Sequence, residues 1–219
     1  MTIGDATIGN VDDAVAYVLS ATPRLATVTN LTVISFSFLE GARKAFISAP
    51  NVTEDTREVA DEYCIACEHM TAVRLHLLLD KDEKGVSFQT VYHRLKLPEV
   101  AKALAQHMGD DPFQPQHIED DVRHSIDQFL CVYRAIDWRD LHGRLTHFRN
   151  QGIVHLSKKR PTKTITQDEL RTLVGAVKAL SESLAVFQSN EPPIQEDEIT
   201  ERSNRATAVW QAALRVGGE

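Results

Sequence analysis

The chain has few cysteines and no long apolar run, and both absences restrict what it can be. Its 219 residues include only Cys64, Cys67 and Cys131, and an odd count argues against a disulfide framework. No apolar run approaches the length of a membrane span, and the first residues lack the basic start and apolar stretch of a signal peptide. We therefore expect a cytoplasmic protein that does not enter a membrane. In that compartment the Asn-x-Thr triplets at Asn30 and Asn51 are chance matches to a glycosylation site.

The sequence also lacks a recognisable metal or redox motif. Cys64 and Cys67 form a C-x-x-C pattern, but a redox pair needs a βαβ setting and a zinc site needs a second ligand pair. We interpret them as two small apolar residues on one helix face. Two histidine pairs lie two helical turns apart, namely His69 with His76 and His117 with His124. Because neither pair has carboxylate or cysteine partners at ligand spacing, we expect neither a metal nor a cofactor.

Acidic residues outnumber basic ones in the whole chain, but positive charge is concentrated in one segment. The formal net charge is −7, yet from Arg139 to Arg171 eight Lys and Arg stand against three Asp and Glu. That segment therefore carries +5 and the remainder −12. A local basic region on an acidic body indicates a directed binding site and not a general attraction to polyanions.

Helical periodicity runs through most of the chain. Residues 11–21 are predicted to form a short helix that Pro23 ends. Residues 25–47 are ambiguous, because their β-branched and aromatic residues favour a strand while their apolar residues keep a helical stripe. We predict a helix there, since no second strand is evident to pair with it. The next helix is expected over about 55–79, and its apolar period consists of Val59, Tyr63, Ala66, Cys67, Met70, Val73 and Leu77.

The rest of the chain predicts shorter helices and a helical tail. They are expected from Ser87, from Pro98 to Gly109, from His117 to Ile136, from Asp137 to Leu156 or Ser157, from a capping box at Thr166 to about Gln188, and from Glu196 to Arg215. The fold class is thus an all-α bundle with short helices inserted between residues 85 and 110. We expect one domain over residues 1–190, followed by a linker and amphipathic helix over 191–219. Trp210 in that tail needs a surface to pack on, in this domain or in a partner chain.

The predicted helix after Asp137 contains the sequence RNQGIVH, which carries the residue types that phosphodiester cleavage needs. Arg149 can hold phosphate with the planar fork of its guanidinium, and His155 can move a proton near neutral pH. The predicted buried stripe of this helix consists of Leu141, Leu145, Phe148, Gly152 and Leu156. On an ideal helix the Arg149 and His155 side chains lie on opposite borders of that stripe, roughly 120° apart, so they do not converge. Either Gly152 lets the helix bend, or a two-fold partner supplies a second copy of the motif. An alternative is that both residues only border the apolar stripe and reach into solvent.

The segment LTHFRNQGIVHLSKK resembles the signature of the HEPN superfamily of helical domains. The signature has an arginine, then a polar residue that is often asparagine, then a histidine after a gap of four to six residues, and Arg149, Asn150 and His155 match it. The segment VRLHLLLDKDEKGVSFQTVYHRL resembles the abortive-infection, AbiU-type branch of the superfamily. The resemblance covers about residues 55–188. It departs from the usual pattern at Val154, where many members have alanine.

The resemblance implies a HEPN-like helical bundle that dimerises with its motifs at a shared cleft and cleaves RNA without a metal. Arg149 would stabilise charge on the phosphate, His155 would be general acid or base, and Asn150 would orient the histidine or the RNA backbone. Flanking phosphates would be held by Arg144, Lys158, Lys159, Arg160 and Lys163. Such proteins act in toxin–antitoxin, CRISPR and phage-defence systems, so an antitoxin is a further expected partner. His147, beside the motif, is the other histidine to test.

Two other interpretations remain open from the sequence. The chain can be a non-catalytic HEPN module that binds nucleotide, RNA or a protein partner. It can also be a structural helical bundle in which the motif residues have no shared role. RNA binding without cleavage would favour the first, and unrelated environments for Arg149 and His155 would favour the second.

Overall fold

The computed structural model describes residues 11–49, 53–82, 85–108, 115–150, 165–187 and 194–216. Every regular element in these ranges is helical, and none is a strand. The elements are α1 (Val11–Ile47), α2 (Glu54–Leu78), α3 (Phe88–Leu95), α4 (Pro98–Met108), α5 (Pro115–Ala135), α6 (Leu141–Phe148), α7 (Gln167–Ser183), a 3-10 helix (Ala185–Phe187) and α8 (Glu196–Val216). The predicted all-α class is confirmed.

The first helix corrects the prediction that Pro23 ends a short helix. A single helix of 37 residues runs through Pro23 and through the stretch that had looked like a strand. Hydroxyl side chains are satisfied inside it: Thr22 donates to the Val18 carbonyl at 2.8 Å, and Thr32 donates to the Val28 carbonyl at 2.7 Å. Because these hydroxyls bond to the helix itself and most of its apolar residues are buried, tertiary packing overrides the local preferences.

Length and composition alone would allow α1 to cross a membrane, in contrast to the expectation from the sequence. In the structure 61% of its most apolar window is buried. A core helix passes the same test, so this feature is weak evidence for a membrane span.

The second helix occupies its predicted place but buries a different face. Three of the apolar residues that define its period are exposed: Val59, Met70 and Leu77 retain between 48% and 60% of their surface. The buried side, nearly opposite on the helix, consists of Ala60, Cys64, Thr71, Ala72, Leu75, Leu78 and Leu79. Small residues such as alanine and cysteine let neighbouring helices approach closely, yet they add little to an apolarity pattern. The pattern therefore indicated the helix correctly and its packed face wrongly.

Capping residues predicted two helix starts correctly. Ser87 is the N-cap of α3, and its hydroxyl accepts a bond from the Thr90 N–H at 3.3 Å. Before α7, the Thr166 hydroxyl accepts from the Glu169 N–H at 3.3 Å while the Glu169 carboxylate accepts from the Thr166 N–H at 2.8 Å. This is the reciprocal pair of a capping box. The start of α5 comes two residues earlier than predicted, at Pro115, because proline suits the first turn of a helix.

The chain divides into two compact units, and each is built from separate stretches of sequence. The first comprises Met1–Thr27, Leu78–Ile136 and Ala179–Pro192. Its core holds Phe88 and Phe129, with ring centroids 6.2 Å apart, and the Tyr92 and Tyr133 rings stack at 4.1 Å.

The second unit comprises Val28–Leu77, Asp137–Lys178 and Pro193–Glu219. It contains α8, whose Trp210 ring lies 5.8 Å from the Phe46 ring and 5.0 Å from the Tyr63 ring. The surface on which the tail tryptophan packs is therefore in this chain. Arg43 ties three elements of the unit, since it donates to Glu68 at 2.6 Å and to Gln167 at 2.7 Å.

Candidate functional site

Two residues of the motif, Arg149 and Asn150, are among the described residues, and they lie at the C-terminal end of α6. Asp137 shapes the turn that leads into this helix, because its carboxylate accepts bonds from the N–H groups of Arg139 and Asp140 at 3.1 and 3.0 Å. Leu141, Leu145 and Phe148 are buried, as the predicted stripe requires. The stripe fixes the rotation of α6 and leaves the next residue, Arg149, on the border of the buried face, where it is half-buried.

Arg149 and Asn150 contact each other directly. The Arg149 Nη1 donates to the Asn150 Oδ1 at 2.8 Å, and both residues lie in a π-helical turn after α6. The Asn150 amide carries no net charge, so this contact orients the guanidinium without neutralising it. On a uniform α-helical wheel Asn150 points away from the buried stripe, but the π turn departs from that geometry. The structure thus gives Asn150 a positioning contact with the arginine.

Two pairs of aromatic rings hold α6 against α2. The Phe148 ring lies 5.8 Å from the His69 ring with an edge-on geometry, and the His142 ring lies 6.4 Å from the His76 ring and nearly parallel to it. The pairing order is reversed between the two helices, so they run antiparallel. His69 is therefore the α2 residue beside the motif. The sequence alone could not identify His69 as a neighbour of the motif, because the two lie on different helices and only helix packing brings them together.

Arg144 lies on α6 itself but is engaged by two carboxylates. Its guanidinium forms ion pairs with Asp140, at 3.0 Å, and with Glu169 at the start of α7. The bond from Arg144 lowers the pKa of Glu169 to about 2, helped by the bond from the Thr166 backbone. The same carboxylates raise the pKa of Arg144. To bind an RNA phosphate, as predicted, Arg144 would have to leave or share these partners.

The remaining predicted site residues lie outside the described residues. They are the histidine of the motif and the basic run after it: His155, Lys158, Lys159, Arg160 and Lys163. Their roles stay predictions, and so does any convergence of Arg149 with His155. His147 is half-buried on α6.

The cysteines and histidines have surroundings that suit packing. Burial raises the pKa values of the Cys64 and Cys67 thiols, which keeps them protonated and poorly reactive. Within the described ranges no group of three or more His, Cys, Asp or Glu residues is arranged to hold a metal ion.

Comparison with known proteins found no matching family model, no matching curated protein and no matching solved structure.

Proposed function

We propose that this chain is a metal-independent endoribonuclease of the HEPN type, active as a cytoplasmic homodimer in phage defence or as a toxin. The observation that supports the proposal most is the state of Arg149. Its guanidinium is half-buried and is oriented at 2.8 Å by the amide oxygen of Asn150, a side chain without net charge. Partial burial lowers the local dielectric constant, so such a cation attracts a phosphate more strongly than a fully solvated one.

The reaction follows from the chemistry of RNA. The 2′-OH of the substrate is the nucleophile, and a general base, assigned to His155, takes its proton. The 2′-oxygen attacks the phosphorus while Arg149 stabilises the charge that builds on the phosphate oxygens. The bond to the 5′-oxygen breaks, and a general acid, His155 of the second copy in a dimer, protonates that oxygen. The products are a 2′,3′-cyclic phosphate and a 5′-OH.

The proposal is tested by incubating the purified protein with single-stranded RNA in EDTA. Mass spectrometry of the fragments should show 2′,3′-cyclic phosphate ends. Arg149→Ala should lower the cleavage rate by about 10²- to 10³-fold, the range expected for loss of one stabilising group at a charged transition state. His155→Ala should have a loss of similar size.

The control variant is Arg139→Ala. Arg139 is an exposed arginine in the same basic segment, so its loss removes the same charge without touching the motif. Cleavage close to wild type is expected, apart from a small salt-sensitive loss of RNA affinity. Equal activity in the wild type, Arg149→Ala and His155→Ala would reject the proposal.

A non-catalytic binding module is the second candidate. It is favoured by the hydrogen bond between Arg149 and Asn150, because an oriented guanidinium can hold an anion without a catalytic partner. In that case RNA binds with an affinity that depends on Arg149, yet remains intact after prolonged incubation. Filter binding and gel analysis of the same samples separate the two outcomes.

A further inference from the structure

The antiparallel packing of α2 on α6 determines which α2 residue lies level with Arg149. His142 on α6 lies opposite His76 on α2, with ring centroids 6.4 Å apart. Seven residues make almost two full helical turns, so Arg149, seven residues after His142, returns to the same face of α6. His69, seven residues before His76, likewise returns to the same face of α2. Because the helices are antiparallel, both steps lead the same way, and Arg149 comes to the level of His69.

The contact of Phe148 supports this register. Its ring lies 5.8 Å from the His69 ring with an edge-on geometry, and Phe148 directly precedes Arg149 in the sequence. His69 and Arg149 are both half-buried, so each side chain packs in part on the helix pair and reaches the surface in part. The imidazole of α2 and the guanidinium of α6 are therefore neighbours at one edge of this pair.

Both groups keep hydrogen-bonding capacity for a ligand. Within the described ranges the His69 imidazole has no hydrogen bond, and the Arg149 guanidinium donates only to Asn150 through Nη1. The carboxylate that precedes His69, that of Glu68, is engaged by Arg43 at 2.6 Å. The imidazole and the remaining N–H groups of the guanidinium are thus available to one bound anion.

A second histidine is what the proposed reaction needs beside the arginine. Cleavage takes one proton from the 2′-OH and gives one to the leaving 5′-oxygen. The motif of one chain contains a single histidine, His155, to which the first transfer is assigned. An imidazole next to a phosphate-binding guanidinium suits the second transfer, because it carries an exchangeable proton near neutral pH.

We propose that His69 and Arg149 form one anion site within a single chain, and that His69 gives its proton to the leaving 5′-oxygen. The shared anion site stands on the packing of α2 and α6, and the donor role rests on the proposed function above. In the reaction the 2′-oxygen bonds to phosphorus while His155 takes the 2′-OH proton. The bond from phosphorus to the 5′-oxygen breaks, and the His69 proton moves to that oxygen.

The shared anion site is tested by NMR with inorganic phosphate, which needs no RNA. In protein with isotope-labelled histidine, the His69 signal is the one that is absent from His69→Phe. At constant pH phosphate should shift this signal, whereas sodium chloride of the same ionic strength should not. The shift should disappear in Arg149→Ala, and the exposed His124 on α5 should not respond. An unshifted His69 signal, or a shift that persists in Arg149→Ala, would overturn the proposal.

The donor role is tested with an RNA oligonucleotide in which sulfur replaces one bridging 5′-oxygen. A thiolate leaves without being protonated, because a thiol is a much stronger acid than an alcohol. On ordinary RNA His69→Phe should lower the cleavage rate by about 10²- to 10⁴-fold, and on the sulfur substrate it should cleave at nearly the wild-type rate. His155→Ala should be slow on both substrates, because it lacks the group that takes the 2′-OH proton.

The choice of phenylalanine separates the donor role from packing. It keeps an aromatic ring beside Phe148 and removes only the exchangeable proton, so circular dichroism should show His69→Phe folded. His124→Ala, which removes an exposed histidine from α5, should cleave both substrates like the wild type. If His69→Phe lost the same factor on both substrates, His69 would not be the proton donor.

The two experiments distinguish failure of this inference from failure of the proposed function. If phosphate shifts the His69 signal through Arg149 but RNA stays intact, the anion site stands and the ribonuclease proposal fails. If RNA is cleaved and His69→Phe cleaves it at the wild-type rate, the ribonuclease stands and His69 is not its donor. The proton would then come from another group, such as His155 of a second copy.

Discussion

Replacing Gly41 with alanine should loosen α8 from α1, and the structure allows the size of the effect to be worked out. A Cβ at Gly41 would lie 2.5 Å from the Ser203 carbonyl oxygen and 2.7 Å from the Ala206 Cβ. Atoms that are not bonded normally approach no closer than about 3.5 Å, so α8 must move by about 1 Å. The same shift strains the bond from the Thr207 hydroxyl to the Gly41 carbonyl, now 3.2 Å.

The opposing effects can be compared. Overpacking of this kind costs about 1–3 kcal/mol, and more where a backbone atom is the obstacle. Alanine is also more favourable than glycine inside a helix, which offsets about 1 kcal/mol of this cost. We expect a net destabilisation of about 1–2 kcal/mol, which for a chain of this size lowers the Tm by about 2–8 °C.

Gly175→Ala is the control, because a Cβ at Gly175 in α7 meets nothing within 4 Å. That variant should be more stable than wild type by about 0.5–1 kcal/mol. Thermal and urea unfolding by circular dichroism compare the two, and Trp210 fluorescence reports on α8. If both variants had the same stability, the close contact between α1 and α8 would not exist as described.

Three further outcomes are expected. Trp210→Ala should destabilise the protein by about 2–4 kcal/mol, since it removes the ring between α1 and α2; wild-type stability in urea unfolding would contradict that packing. The pKa of Glu169 is lowered to about 2 from 4.5, so its bonds to Arg144 and Thr166 stabilise the fold above pH 4.5 and are lost as the pH falls toward 2. Glu169→Gln should therefore cost about 1–2 kcal/mol at pH 7 and flatten the stability profile in that acidic range, and an unchanged profile would refute the link. Cys131 is exposed whereas Cys64 is buried, so a thiol reagent should modify Cys131 first in the native protein and Cys64 only on unfolding.

Helix positions were predictable where the local chain carries its own determinants. Thr166 and Glu169 satisfy each other's backbone N–H groups within one turn. At the start of α3 the Ser87 hydroxyl accepts a bond from the Thr90 N–H. Pro23 was misleading, because the cost of a proline in a helix is local while the burial that offsets it comes from distant residues.

The candidate site was predictable in part. The apolar stripe of α6 placed Arg149 on its border from the sequence alone. The contact with Asn150 depends on a π turn, and the neighbour His69 comes from another helix. The carboxylate partners of Arg144 include Glu169, 25 residues away in sequence. Such contacts could not be read from spacing, because helix packing decides which distant residues meet.

The sequence by itself determined that this protein is helical, where most of its helices begin, and that a cationic motif follows the buried stripe of α6. The tertiary structure decided which faces are buried. On α2, Val59, Met70 and Leu77 remain outside while Ala60, Cys64 and Ala72 pack inside together with Leu75 and Leu78, because small side chains let neighbouring helices approach closely. The exposure of Val59, Met70 and Leu77 depends on which neighbouring helices cover α2, and only the packed structure could show it.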